Sequence, residues 1–265
     1  MTKGKVLVVG SNATRIEVQG GWGNTGQYLN ETVVPAMAIL AAGYEIVLAT
    51  PQGTKPHIDP ASDSSQHFGG DEVAYAAAKA FWAEHPAMNA VRSLRSVIEE
   101  GLESYAGIFV PGGQAPVVDL MQDADLGTIL RHAHGQAKPT ALLCHGPIAI
   151  TAAMDQAPAF RASLIVGDKA KARDLAKGWP YAGYRMTVFS ASEEKVVEDH
   201  ILHAKMHFDM PSALEAAGGE VITNSTDFAP HVVEDRELIT GQNPASDHQI
   251  AARFVAALNR HLATA

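Results

Sequence analysis

The stretch LLCHGPIAI, residues 142–150, holds the chain's one cysteine, Cys144, between an apolar run and the pair Gly146-Pro147. Proline suits the first turn of a helix, so the pattern puts Cys144 on a sharp strand-to-helix turn, which projects a nucleophile outwards. At a helix amino terminus the dipole and the free N–H groups favour thiolate over thiol. A second strand end, FVPGGQAP at 109–116, carries Gly112 and Gly113, whose backbone N–H groups can approach a ligand as an oxyanion hole requires. A third, TGQYLNETVVP at 25–35, places Glu31 at the start of an otherwise apolar helix, where its carboxyl could lie at the base of the same cleft. Each feature also has a plainer reading. Free cysteine is usually buried and inert, glycine pairs are mostly turns, and a helix-start glutamate often only compensates the dipole.

These residues can cooperate only if the chain between them brings three strand ends to one edge. KVLVV at 5–9 reads as a buried parallel strand, followed by an apolar helix closing at Gly43 and the strand EIVLAT. Further along come a helix in DEVAYAAAKAFWAEH, a strand before Pro111, a helix in LGTILRHAHGQ and a strand in PTALL. RMTVFS, a helix from about Ser192, EVITN, ELITGQNPAS and a last helix complete the series. The alternation predicts an α/β fold with a doubly wound, mainly parallel sheet and helices on both faces. Residues 51–90 and 155–183 are each too short to bury a core of their own. They are expected to be cap-like insertions on one domain spanning 1–265.

A hydrophobic fraction of 46% against 18% charged residues indicates a globular chain rather than a disordered one. No run approaches the roughly 18 uninterrupted apolar residues of a membrane span, and a cytoplasmic setting is expected. With a net charge of −9 and no cluster of Lys and Arg, nucleic acid is not expected as a partner. One cysteine allows neither an intramolecular disulfide nor a zinc site of several thiolates. His200, His203 and His207 fall on or near one helical face, usually a solvated one. No metal is expected, and without a GxGxxG or P-loop signature, no nucleotide cofactor either.

In order and spacing, TGQYLNETVVPAMAILAAGYEIVLATPQG, PHIDPAS, GIFVPGG, ALLCHGP, GYRMTVFSASEE and LITGQNPAS resemble the DJ-1/PfpI (ThiJ) superfamily. Within it they are closest to the branch of glyoxalase III enzymes and heat-shock-protein-31-like chaperones. The resemblance implies a flavodoxin-like three-layer sandwich, a homodimer, and cofactor-free conversion of a small dicarbonyl, methylglyoxal, to lactate without glutathione. It makes Cys144 the nucleophile, Glu31 the acid bonded to its sulfur, His145 the histidine after the nucleophile and Glu194 the residue orienting that histidine. Glu193 is the alternative for the last role, and either His145 or Glu31 could be the base. The N–H groups of Gly113 and His145 would hold the oxyanion. Two positions depart from the branch, which often has histidine where Gln114 and Val34 stand here. Other readings are a holdase, a protein deglycase, and a cysteine hydrolase or amidase on the same turn.

Overall fold

In Lys5–Val9 (β1) successive side chains face opposite ways, so Val6 and Val8 enter one hydrophobic core while Leu7 and Val9 enter another. A strand buried on both faces needs helices on both sides of its sheet. The computed structural model, which describes residues 2–264, supplies them. After β1 a hairpin, Arg15–Val18 (β2) and Gly21–Asn24 (β3), leads to Leu29–Ala41 (α1) and Glu45–Thr50 (β4). Glu72–Glu84 (α2), Pro86–Asn89 (α3), Arg92–Ser93 (β5) and Leu94–Glu100 (α4) follow. Tyr105–Val110 (β6), Ala124–Gly135 (α5) and Thr140–Leu143 (β7) form the middle of the chain. Then come Ala157–Ile165 (α6), Lys169–Leu175 (α7), Arg185–Met186 (β8), Ala191–Val197 (α8) and Met210–Ala217 (α9). Glu220–Val221 (β9), Val232–Asp235 (β10), Leu238–Gly241 (β11) and Asp247–Thr264 (α10) end the chain.

The main sheet has seven strands in the order β10-β11-β7-β6-β1-β4-β5. All neighbours pair in parallel except β10 and β11. The doubly wound, mainly parallel sheet expected from the alternation is therefore present. Phe109, Ala141 and Leu143 share a core with Ala36 and Ile39 of α1 and Phe254 and Leu258 of α10. Ile108, Val110 and Leu142 face the other core, with Leu126, Ile129 and Leu130 of α5. Successive strands lie to one side of β1 (β4, β5) and then to the other (β6, β7). The chain thus reverses direction between β1 and β6, where an open α/β sheet leaves a crevice at its carboxyl edge.

Several elements differ from the sequence reading. RMTVFS and EVITN form only β8 and β9, which pair with each other outside the main sheet. Beyond Met186 the backbone is drawn into the site: Thr187 N–H donates to Thr240 Oγ1 at 2.8 Å and Phe189 N–H to the Cys144 carbonyl at 2.9 Å. The segment 155–183 contains α6 and α7, and its aromatic end packs inward, with Trp179 Nε1 donating to the Ile150 carbonyl at 2.9 Å. Nothing in it lines the cleft. Finally, α8 runs into one π-helical turn, Glu198–Leu202, and His203 has φ +51°, so His200, His203 and His207 do not share an α-helical face. Among the described residues no group of three or more His, Cys, Asp or Glu side chains could hold a metal ion. Likewise, none of these helices is long and apolar enough to cross a membrane.

Candidate active site

Cys144 follows β7 with φ +62°, the left-handed region that a residue with a Cβ rarely occupies. Strain of this kind persists only where neighbours over-determine it. Here Cys144 N–H donates to the Gly241 carbonyl of β11 and the Cys144 carbonyl accepts from Phe189 N–H, both at 2.9 Å. The turn swings the next side chain back, and His145 Nδ1 lies 3.3 Å from the sulfur. Adjacent residues seldom touch in this way, and the positive φ is what permits it.

The far side of the imidazole is fixed by Glu194, whose Oε2 is 2.7 Å from His145 Nε2. Gln114 Nε2 donates to the other oxygen, Oε1, also at 2.7 Å. With both Glu194 oxygens accepting, the network assigns the imidazole proton to Nε2 and leaves Nδ1 as an acceptor facing the thiol. The Phe189 ring covers the imidazole, with centroids 4.5 Å apart. Glu193 is spent elsewhere. It closes a capping box with Ser190, and its oxygens accept from Phe228 N–H, Gln242 Nε2 and Asn243 Nδ2. Of the two glutamates, Glu194 is thus the one in contact with His145. The S-x-x-E signature of Ser190 to Glu193 is visible in the sequence and would have separated them.

Glu31 sits in the first turn of α1, fully buried. Its Oε2 accepts from Gly112 N–H at 2.9 Å, and its carboxyl lies against the Cys144 thiol. Oε1 is buried and makes no other hydrogen bond, so a charge on this carboxyl would be poorly satisfied. Burial raises the Glu31 pKa to about 8, against the pull of hydrogen bonds from Cys144 and Gly112. Gly112 must be glycine, since a Cβ there would stand 2.6 Å from Glu31 Oε2 and 2.7 Å from Cys144 Cβ. The next residue, Gly113, has φ +81° and aims its N–H at the Cys144 sulfur.

The expectation of a lowered thiol pKa is corrected. Burial pushes the Cys144 thiol well above its usual value, and charge on Glu31 pushes the same way, while the Gly113 N–H opposes both. Cys144 is buried, as is the 3₁₀ segment after the turn, Gly146–Ala153, and burial disfavours the charged thiolate. Both shifts favour the neutral forms, a carboxyl beside a thiol, so attack calls for an adjacent base to take the thiol proton.

Loops complete the frame. Tyr28 N–H donates to the Gly112 carbonyl at 3.3 Å, and Leu29 N–H to Ser62 Oγ at 3.0 Å. Residues 61–69 thereby hold the start of α1 and supply one wall of a cavity of about 560 Å³. Cys144 and His145 lie in its floor. The role of Phe189 and the grip of Gln114 on Glu194 escaped the sequence reading, because both join segments distant in the chain.

The sequence profile of the DJ-1/PfpI family matches residues 26–162, just over half of the chain. The protein belongs to the DJ-1/PfpI family. The chain is 25% identical over 248 residues to the glutathione-independent glyoxalase hsp3101 of Schizosaccharomyces pombe, covering 92% of each. It is 23% identical over 254 residues to the protein/nucleic acid deglycase HchA of Pseudomonas aeruginosa, covering 93% of this chain and 78% of that one. The crystal structure of glyoxalase III from Candida albicans superposes with a TM-score of 0.67 at 20% identity, over 96% of this chain and 97% of that one. The last similarity bears out the fold. The flavodoxin-like three-layer sandwich implied by the resemblance is the architecture found.

Proposed function

We propose that the protein is a glutathione-independent glyoxalase that converts methylglyoxal to lactate through Cys144, in the lyase class of such enzymes. The observation that carries this reading is the joint approach of His145 Nδ1, the Glu31 carboxyl and the Gly113 N–H to one buried sulfur. The full-length similarity to hsp3101 supports it. His145 Nδ1 takes the thiol proton, and sulfur forms a bond to the aldehyde carbon. The oxygen that becomes charged is held by the N–H groups of Gly113 and His145. His145 passes that proton to the oxygen and, neutral again, takes the proton of the sulfur-bearing carbon and returns it to the neighbouring carbon through an enediol. One carbon is oxidised as the other is reduced, so no external oxidant or reductant is needed. Water cleaves the resulting lactoyl thioester, releasing lactate and restoring the thiol.

In this scheme His145 is the base that activates sulfur, since its free nitrogen faces the thiol and Glu194 can stabilise the imidazolium that forms. Glu31 is the acid that donates to the sulfur. The test is methylglyoxal loss and lactate formation without glutathione, by the wild type and Cys144→Ala at equal concentration. Turnover confined to the wild type is expected, and none in either would overturn the reading. A deglycase reading is favoured only by the HchA similarity. It predicts release of groups from pre-formed protein adducts faster than free methylglyoxal is consumed.

The same reading takes the chain as one domain with insertions at 51–90 and 155–183, working as a cytoplasmic homodimer. Light scattering on the eluting protein should then give twice the chain's 28.1 kDa.

A further inference from the structure

The cavity above Cys144 is larger and more apolar than methylglyoxal requires. Its volume of about 560 Å³ falls in the roughly 300–1,000 Å³ range that encloses drug-sized ligands, whereas methylglyoxal offers only one methyl group beyond its two carbonyls. The polar groups that can orient a dicarbonyl, from Gly113, Gln114 and His145, gather at the sulfur end. Because Gln114 Nε2 is committed to the acceptor oxygen of Glu194, its Oε1 is left for a substrate hydroxyl. Beyond them the walls are Phe68, Phe189, Val197, Val196, Ile201 and Phe228. The last three are among the few large apolar side chains the protein leaves exposed, at 40%, 48% and 42%. Phe189 and Phe228 meet edge to face with centroids 6.2 Å apart, an arrangement a further ring can extend. Among the described residues no Lys or Arg lines the chamber, and its polar lining away from the sulfur is Tyr28, Gln66, His67, Asp247 and His248, so the preference for a neutral substituent rests on the apolar wall of Phe189, Val196, Ile201 and Phe228, where a charge would lose its water.

We infer that the preferred substrates of this site are α-oxoaldehydes bearing a bulky, neutral, apolar substituent of about the size of a phenyl ring, which the chamber of Phe189, Ile201 and Phe228 holds while the dicarbonyl sits at Cys144. The inference rests on the glyoxalase reading and specifies its substrate class. The chemistry is unchanged: the carbon–sulfur bond forms at the aldehyde, the proton moves to the adjacent carbon, and water releases the α-hydroxy acid, mandelate in the phenyl case. Moving a phenyl ring rather than a methyl group from water into such a chamber is worth about tenfold or more in kcat/KM.

The experiment measures kcat/KM of the full chain for phenylglyoxal, methylglyoxal and the carboxylate-bearing γ,δ-dioxovalerate, following hydroxy-acid formation. The same is done for Phe228→Ala and Ile201→Asp, whose exposed positions leave folding intact. Phenylglyoxal should exceed methylglyoxal by about tenfold, dioxovalerate should be poorest, and the phenylglyoxal-to-methylglyoxal ratio should fall about fivefold or more in both variants. Because that fall is read within one pair of substrates, their intrinsic reactivities cancel. A wild-type ratio of one or less, a preference for dioxovalerate, or a ratio unmoved by both variants would overturn the inference. Cys144-dependent methylglyoxal turnover would then leave the glyoxalase reading standing. Turnover of none of the three would overturn both.

Discussion

At Glu31 chemistry and stability pull in opposite directions. Its pKa of about 8 in the folded protein lies above the roughly 4.3 of an exposed glutamate. The folded state therefore binds the proton more tightly than the unfolded state. The associated stability is complete below the unfolded pKa and is lost as pH rises through the folded one, ~5 kcal/mol in all. Glu31→Gln, which keeps shape and neutrality, should melt higher than the wild type at pH 8 and show little gain at pH 5, as calorimetry can check. Its activity should also lose an alkaline limb. In the wild type kcat/KM should fall above about pH 8, where a charged Glu31 would face the forming thiolate. In the variant that fall should disappear, at a lower rate throughout. Gln114 acts one contact further out, as a positioning residue. Gln114→Ala removes one charge-assisted hydrogen bond from Glu194, typically about 1.5–3 kcal/mol. It should lower kcat roughly tenfold or more with KM little changed, and lower the melting temperature by several degrees.

At the scale of elements, two adjacent glutamates in α8 do unrelated work. Glu193 joins α8 to the residues before it, to Phe228 and to the loop after β11 through four donors while itself buried. Truncating it strands those donors, so Glu193→Ala should cost about 3–5 kcal/mol in denaturant unfolding. Glu194→Gln should leave the unfolding midpoint nearly in place yet depress turnover by on the order of a hundredfold, since the ring loses the carboxylate that stabilises its charged form. β7, the turn at Cys144 and the 3₁₀ segment behave as one rigid part, because the backbone of Cys144 is bonded on both sides, to β11 and to Phe189. The far wall, from α8 through the π turn to His203, leaves Val196 and Ile201 exposed.

Across the whole molecule this contrast predicts a gradient of motion. β1, β6 and β7 lie in the middle of the sheet with side chains buried on both faces, and their amides should exchange slowest. Amides of 198–209, where regular structure lapses, should exchange orders of magnitude faster in a time course read by mass spectrometry. Protection should rise there when an apolar α-oxoaldehyde occupies the cavity of Cys144→Ala.

The layers and the location of the chemistry are written in local composition. Runs such as KVLVV and PTALL, broken by glycine and proline, carry their burial and their ends in their own composition. Cys144 and Gly113 are legible because each follows such a run, and parallel strands place their carboxyl ends on one edge, while Glu31 is legible as a lone carboxyl opening an apolar helix. The rest emerges on folding, because it depends on distances between segments far apart in the chain. Contact of His145 with the thiol needed the left-handed turn held by Gly241 and Phe189, and the division of labour between Glu193 and Glu194 needed their separate partners. The protonation of Glu31 and of Cys144 followed from burial, which composition does not record. RMTVFS has the residues of a strand, but beyond Met186 that role is lost where the backbone is bonded to Thr240 and Cys144 instead. Local propensity yields where long-range hydrogen bonds offer the same backbone a different partner.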